Sequence, residues 1–261
     1  MVVTVALLLL LGLVVGFLGT LIGAGGGFLL APLLAIAYPR AEPEHVAAIS
    51  LAVVFFNALS GSIGYARLGR IDYRAGKVFA LAAVPGSIAG AILVHWVPRH
   101  LFDGVLAAAL IGMGLWLLTH GAEPRASGTG EGHEGPHDRL GLGAAISAGV
   151  GILSSILGIG GGIIHVPALV KILGFPVHVA TATSHFVLAI TSGVGVAVLA
   201  SRGLLDDHLV EAACMAIGAV AGAQIGAHAS TRLAGHHIVR GLAVAIIVVG
   251  ARMAYQAGTS G

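Results

Sequence analysis

Residues 16–32 read Gly16-Phe-Leu-Gly-Thr-Leu-Ile-Gly23-Ala-Gly-Gly-Gly27-Phe-Leu-Leu-Ala-Pro32, and residues 151–167 read Gly151-Ile-Leu-Ser-Ser-Ile-Leu-Gly158-Ile-Gly-Gly-Gly162-Ile-Ile-His-Val-Pro167. Both follow the pattern Gly-x6-Gly-x-Gly-Gly-Gly-x4-Pro at one fixed offset. Working outward, His45-Val-Ala pairs with His178-Val-Ala, Ser50 with Ser184, Asn57 with Thr191 and Gly61 with Gly195. The stretch Gly69-Arg-Ile-Asp72 matches Gly203-Leu-Leu-Asp206, Gly86-x3-Gly90 matches Gly222-x3-Gly226, and His100-x3-Gly104 matches His237-x3-Gly241. Such a run of pairs in one order marks an internal duplication.

The repeats are apolar. Of 261 residues, 57% are hydrophobic and 9% charged, with a mean hydropathy of +1.00. Soluble domains carry about 25% charged residues, so this is the balance of a bilayer protein. The 13 Lys and Arg are scattered between apolar runs, which excludes a nucleic-acid partner. Cys214 is the only cysteine, so neither an intramolecular disulfide nor a thiolate metal site is expected. The run from Val2 to Ile22 lacks a basic leader and a small-residue cleavage site, and reads as a retained membrane helix.

About 20 apolar residues cross a hydrocarbon core of roughly 30 Å. Runs of that order lie at Val2–Ile22, His45–Ala66, Ala75–Val97, Leu101–Leu118, Leu140–Leu157, Val179–Ala200, His208–Ala229 and Ile238–Ala254. Phe28–Ala37 and Ile163–Leu173 are half as long, and each follows a glycine cluster. They read as re-entrant or discontinuous segments, because unwound backbone at membrane depth is tolerated where it lines a polar cavity. The expected fold class is an all-α polytopic membrane protein with about eight to ten helical segments. Residues 1–119 form the first repeat, 120–139 a polar linker and 140–261 the second repeat. Five segments per half is an odd number, so the halves enter the membrane from opposite faces as an inverted repeat. That is an architecture of secondary transporters, with binding at the repeat interface.

The loop from Arg67 to Lys77 holds Arg67, Arg70, Arg74 and Lys77, and by the positive-inside rule it faces the cytoplasm. The linker then also lies inside, joined by Arg125, Arg139, Lys171, Arg232 and Arg240, while Arg40, Arg99, Arg202 and Arg252 face outward. The linker, with Glu131, His133, Glu134 and His137, reads as a solvated cytoplasmic connector.

Each glycine cluster opens a helix. A helix N-terminus offers unpaired N–H groups and about half a positive charge, which favours anions. Gly25, Gly26 and Gly27 with Gly160, Gly161 and Gly162 are therefore candidate binding residues for a small anionic substrate, with no buried lysine required. Gly86, Gly90, Gly222 and Gly226 read instead as helix-packing residues. Ser50, Asn57, Ser184 and Thr191 are matched hydrogen-bonding side chains in the third segment of each half. His165 and His185 break the symmetry, standing where the first half has Leu30 and Leu51, and intramembrane ionisable residues are functional candidates. Glu42, Glu44, Asp72, Asp103, Asp206, Asp207 and Glu211 fall in loops or at segment ends. If transport is proton-coupled, His165 or His185 is the expected carrier; otherwise an inside-negative potential alone drives an anion outward.

On the paired glycine motifs, the Ala180-Thr-Ala-Thr-Ser184 stretch and the Gly69-x-Ile-Asp72 loop, the sequence resembles the TauE/SafE family over nearly its whole length. The resemblance implies a bacterial inner-membrane permease that exports sulfite or a C2–C3 organosulfonate such as sulfoacetate by alternating access, with no cofactor and no resident metal. A homodimer stays open. Thirteen histidines raise a divalent-metal permease as the alternative, although membrane carboxylates and thiolates to complete such a site are lacking. An intramembrane enzyme is the weaker alternative, because no Ser–His pair can be placed by spacing: Ser184 and His185 are adjacent and project about 100° apart on a helix.

Overall fold

The computed structural model describes residues 2–120, 139–230 and 236–259. Most of the linker, with His133 and His137, and also Arg232, lies outside the described residues. Among the described residues ten α-helices follow one another: α1 Val2–Ile22, α2 Gly27–Ala37, α3 Pro43–Arg67, α4 Tyr73–Leu93, α5 Arg99–His120, α6 Leu140–Leu157, α7 Gly162–Lys171, α8 Val177–Ser201, α9 Leu209–Ala229 and α10 His236–Thr259. The fold is all-α, as the apolar runs imply. Among the described residues seven helices are long and apolar enough to cross a membrane; Ala243–Gly258 of α10 is shorter, and so are α2 and α7. With 11 and 10 residues, these two span about half a hydrocarbon core at roughly 1.5 Å per residue.

The termini of these helices are written locally. Pro43 opens α3 at a position where its missing N–H costs nothing. Asp72 caps α4 by accepting from the Ala75 N–H at 3.0 Å. Gly69 and Gly203, which follow α3 and α8, have φ of +64° and +77°, a conformation that favours glycine. The C-terminal end of α2 is met by Arg99, which donates to the carbonyls of Ala35 and Ala41 while paired with Asp103. A cation at that end complements the helix dipole, and the α2 N-terminus has no side-chain cap.

The element pairing is unchanged when the halves are exchanged. Helix α1 packs on α9 and α4 on α6, while α3 packs on α8 and α5 on α10. Helices α3 and α8 are both 25 residues long and match end to end, Pro43 with Val177 and Arg67 with Ser201. That register keeps the pairs Ser50/Ser184 and Asn57/Thr191. It moves His45 opposite Val179 rather than His178, so the shared His-Val-Ala is a coincidence of composition one residue out of step. Gly61 lies against His185 and Gly193 against Phe55, so α3 and α8 run antiparallel; Gly114 against Ile247 and Gly250 against Ile111 show the same for α5 and α10.

Close packing explains the glycines outside the clusters. A Cβ added at Gly222 would stand 2.1 Å from the Leu13 carbonyl oxygen, and one at Gly86 2.2 Å from that of Ala148. Backbones approach this closely only where no side chain intervenes. Polarity is turned inside out relative to a soluble domain. Leu81 is 74% and Ile217 64% exposed, whereas Ser50, Asn57, Ser184 and His185 have no exposed surface. Large apolar side chains outside and hydroxyls within suit lipid as the surrounding medium.

Gly86→Ala and Gly222→Ala should each destabilise the detergent-solubilised protein by about 1–3 kcal/mol through overpacking. Gly149→Ala, with nothing within 4 Å of the added carbon, should be neutral or slightly stabilising. Thermal unfolding checks this; equal melting temperatures for Gly149→Ala and Gly222→Ala would contradict the packing role.

Candidate functional site

The two glycine clusters meet. Gly23, Gly25 and Gly26 have φ of +81°, +81° and +79°, and their counterparts Gly158, Gly160 and Gly161 have +70°, +78° and +78°. The same backbone turn is thus built twice. A Cβ at Gly27, the first residue of α2, would stand 2.7 Å from the Ile159 carbonyl oxygen, and one at Gly162, the first residue of α7, 2.7 Å from that of Gly23. Each helix start therefore presses on the opposite turn. Neither Gly26 nor Gly161, the N-cap positions, supplies a side-chain cap, so the first turns of both helices lack the usual N-cap acceptor in one small region.

Two apolar side chains fill the space over these turns. A Cβ at Gly25 would lie 2.4 Å from Leu188 Cδ2 and 3.5 Å from Val54 Cγ1; one at Gly160 would lie 2.5 Å from Val54 Cγ1 and 3.4 Å from Leu188 Cδ2. Val54 and Leu188 are counterparts in α3 and α8, and each touches both turns. Apolar residues within apolar runs carry no signal of their own, so sequence reasoning passed over them; extending the self-comparison from Ser50/Ser184 by four residues finds the pair.

The candidate polar side chains divide between the two turns. Ser50 donates to the Gly158 carbonyl at 2.6 Å and so ties α3 to the second cluster. Asn57 accepts from Thr20 Oγ1 at 3.1 Å; its Nδ2 is buried without a partner and lies 3.4 Å from where a Cβ on Gly26 would be. Ser184 is fully buried with its hydroxyl unpartnered. Thr191 bonds its own helix, donating to the Val187 carbonyl at 3.1 Å, while its carbonyl accepts from Ser87 at 2.7 Å.

The histidines separate. His185 packs edge-on against Tyr65 with ring centroids 5.5 Å apart, and its Nε2 lies 3.3 Å from Thr20 Oγ1. Tyr65 in turn donates to the Thr20 carbonyl at 2.6 Å. His165 lies 3.0 Å from Ser147 through Nε2 and meets the edge of Phe79. With Ser147, Ser154, Gly160 and Thr191 it lines a small space of about 10 Å³. Thr20, Tyr65, Ser147 and Ser154 escaped the sequence reading, since their partners come from distant helices. Thr20 and its counterpart Ser155 do stand at the offset of the glycine motif.

The Ser147–His165 contact is a serine–histidine pair that spacing did not foresee. It does not prepare a nucleophile, because the Ser147 proton is directed to the Gly143 carbonyl at 2.7 Å. Among the described residues one group of three possible metal ligands draws together, Glu42, Glu44 and His45 near the start of α3. Glu44 is already engaged there by Arg202 and His95, each at 3.1 Å.

Comparison with known proteins agrees with this architecture. The family described as Sulfite exporter TauE/SafE matches residues 8–253. The chain is 28% identical over 272 residues to the probable membrane transporter protein YunE of Bacillus subtilis, covering 96% of this chain and 97% of that protein. It is 29% identical over 191 residues to a probable membrane transporter protein of Methanocaldococcus jannaschii, covering 71% and 68%. Over 104 residues it is 31% identical to Sulfite exporter TauE/SafE family protein 6 of Arabidopsis thaliana, covering 40% of this chain and 24% of that one. No solved structure matches the chain. The chain is a multi-pass membrane transporter and belongs to the TauE/SafE family.

Proposed function

We propose that the protein exports a small oxyanion, sulfite or a C2–C3 organosulfonate such as sulfoacetate, across the bacterial inner membrane by alternating access. The observation that carries this reading is the meeting of the two uncapped glycine turns, where two helix N-termini converge with, among the described residues, no cationic side chain between them. N–H groups and the positive ends of two helices suit a compact anion, and glycine backbone lets its oxygens approach closely. Asn57 Nδ2 and the Ser184 hydroxyl, buried and unpartnered, are the first side-chain donors to such a guest. Ser50 and Thr191 change partner to join them.

The antiparallel pairing of α3 with α8 and of α5 with α10 supports an inverted repeat, with α2 and α7 as re-entrant segments and residues 120–139 as a cytoplasmic linker between repeats 1–119 and 140–261. Val54 and Leu188 close the site from both halves at once. Rocking one half against the other withdraws this pair and opens the turns to one side or the other. An inside-negative potential then favours export by about 2.3 kcal/mol per charge per 100 mV.

Gly26→Val and Gly161→Val place a branched side chain at positive φ beside the turn. Each should lower sulfite or sulfoacetate flux in proteoliposomes at least tenfold while membrane insertion and amount stay at the wild-type level. Undiminished flux would remove the turns from the site. Sulfite or sulfoacetate should also raise the melting temperature of the purified protein in a concentration-dependent way. A shift with Ni²⁺ alone would favour the metal permease instead.

A further inference from the structure

Two polar side chains beside the second turn have no polar counterpart at the first. Position 154 is Ser where its counterpart 19 is Gly, and position 165 is His where its counterpart 30 is Leu. A serine hydroxyl has one proton to give, and Ser147 directs it to the Gly143 carbonyl at 2.7 Å. His165 Nε2, 3.0 Å from Ser147 Oγ, therefore carries hydrogen and donates to that oxygen. In the neutral ring Nδ1 is then a bare acceptor, and it is buried without a partner. Ser154 Oγ is likewise buried and unpartnered, and lies 3.3 Å from where a Cβ on Gly161 would stand. Both residues line one small space of about 10 Å³, which is about the least that holds one water.

Nothing ionisable faces the ring from the elements packed around it, among the described residues. Helix α6 presents Ser147 and Ser154, α8 presents Val187, Leu188 and Thr191, and α4 presents Ala83 and the Phe79 ring. Arg139 just before α6, Arg74 and Lys77 on α4, Lys171 on α7 and His178 on α8 are exposed near helix ends. His185 on α8 faces Thr20 and Tyr65, and Arg99 and Asp103 on α5 pair with each other.

From this arrangement we infer that His165 is the proton-binding group of the transport site, so that the anion crosses together with a proton held on Nδ1. The inference rests on the anion site proposed above. A proton on Nδ1 with no anion present is an unpaired buried charge, and an anion at the turns with neutral His165 has helix ends and neutral donors but no full positive charge to offset it. Each ion lowers the desolvation cost of the other, and the coupling is reciprocal. The proton comes from water on the side where the anion enters and forms an N–H bond at Nδ1, while the Nε2–H stays on Ser147. It returns to water on the far side as the anion leaves. A monoanion then moves with no net charge, and a dianion carries one negative charge outward.

The test counts protons. Purified full-length protein is titrated with sulfoacetate, whose acid groups stay ionised at neutral pH, by calorimetry in two buffers of different protonation heat. The wild type should take up about one proton per anion bound. His165→Leu, the residue of the matching first-half position, should bind at least tenfold more weakly with uptake near zero, and His165→Asn should behave alike. Anion binding by the wild type without proton uptake, or uptake that persists in both variants, overturns the inference while leaving the anion site standing. Failure of the wild type to bind either sulfoacetate or sulfite removes the anion site itself, and the proton site with it.

Discussion

Everything in this fold is arranged around the contact of two glycine turns. The start of α2 lies against the Ile159 carbonyl and the start of α7 against that of Gly23, at distances where a single added carbon would collide. Two positively polarised helix ends do not attract each other, so the surrounding packing holds them together. Helix α1 grips α9 through Gly12, Gly16, Gly218 and Gly222, and α4 grips α6 through Gly86, Gly90 and Gly151. These backbone contacts tie each half to the other, since α1 and α4 belong to the first five helices and α6 and α9 to the last five. A geometry that brings like partial charges together within a protein core is costly unless something of opposite sign visits it.

Around the turns some buried polar groups are engaged by other helices, while others, His185 Nδ1 included, are idle. Ser50 holds Gly158, Tyr65 holds Thr20, and Ser87 holds Thr191. Gln224 on α9 donates to the Ser60 carbonyl on α3 at 2.7 Å. In a core shielded from water an unsatisfied polar group costs about 1–3 kcal/mol, which makes the idle atoms informative. Asn57 Nδ2, Ser154 Oγ, Ser184 Oγ and His165 Nδ1 are among them, and Asn57 and Ser154 lie beside the glycine turns themselves.

The helices were legible because a bilayer protein writes them as long apolar runs, and the two short ones because glycine clusters interrupt those runs at matching places. The packing role of Gly86 and Gly222 followed from their spacing, and the contacts with Ala148 and Leu13 agree with it. What could not be read is which residues of the two halves face each other. Ser50 reads as a ligand from its matched position, yet its hydroxyl holds the other half's Gly158, a partner 108 residues away. Val54 and Leu188 were invisible for a different reason. Their role is to occupy space over the turns, and volume leaves no mark in a sequence where nearly every neighbour is apolar. His165 stood out by breaking the repeat, but only Ser147, eighteen residues away on a different helix, determines which of its ring nitrogens is bare.

Whether the anion sits between the paired turns is decided by a structure determined by electron cryomicroscopy with sulfoacetate bound. Density is expected between residues 25–27 and 160–162, with ligand oxygens within hydrogen-bond distance of backbone N–H groups from both turns, and Val54 and Leu188 drawn back. Ligand density elsewhere in the protein, with the turns still closed on each other beneath those two side chains, would contradict this placement.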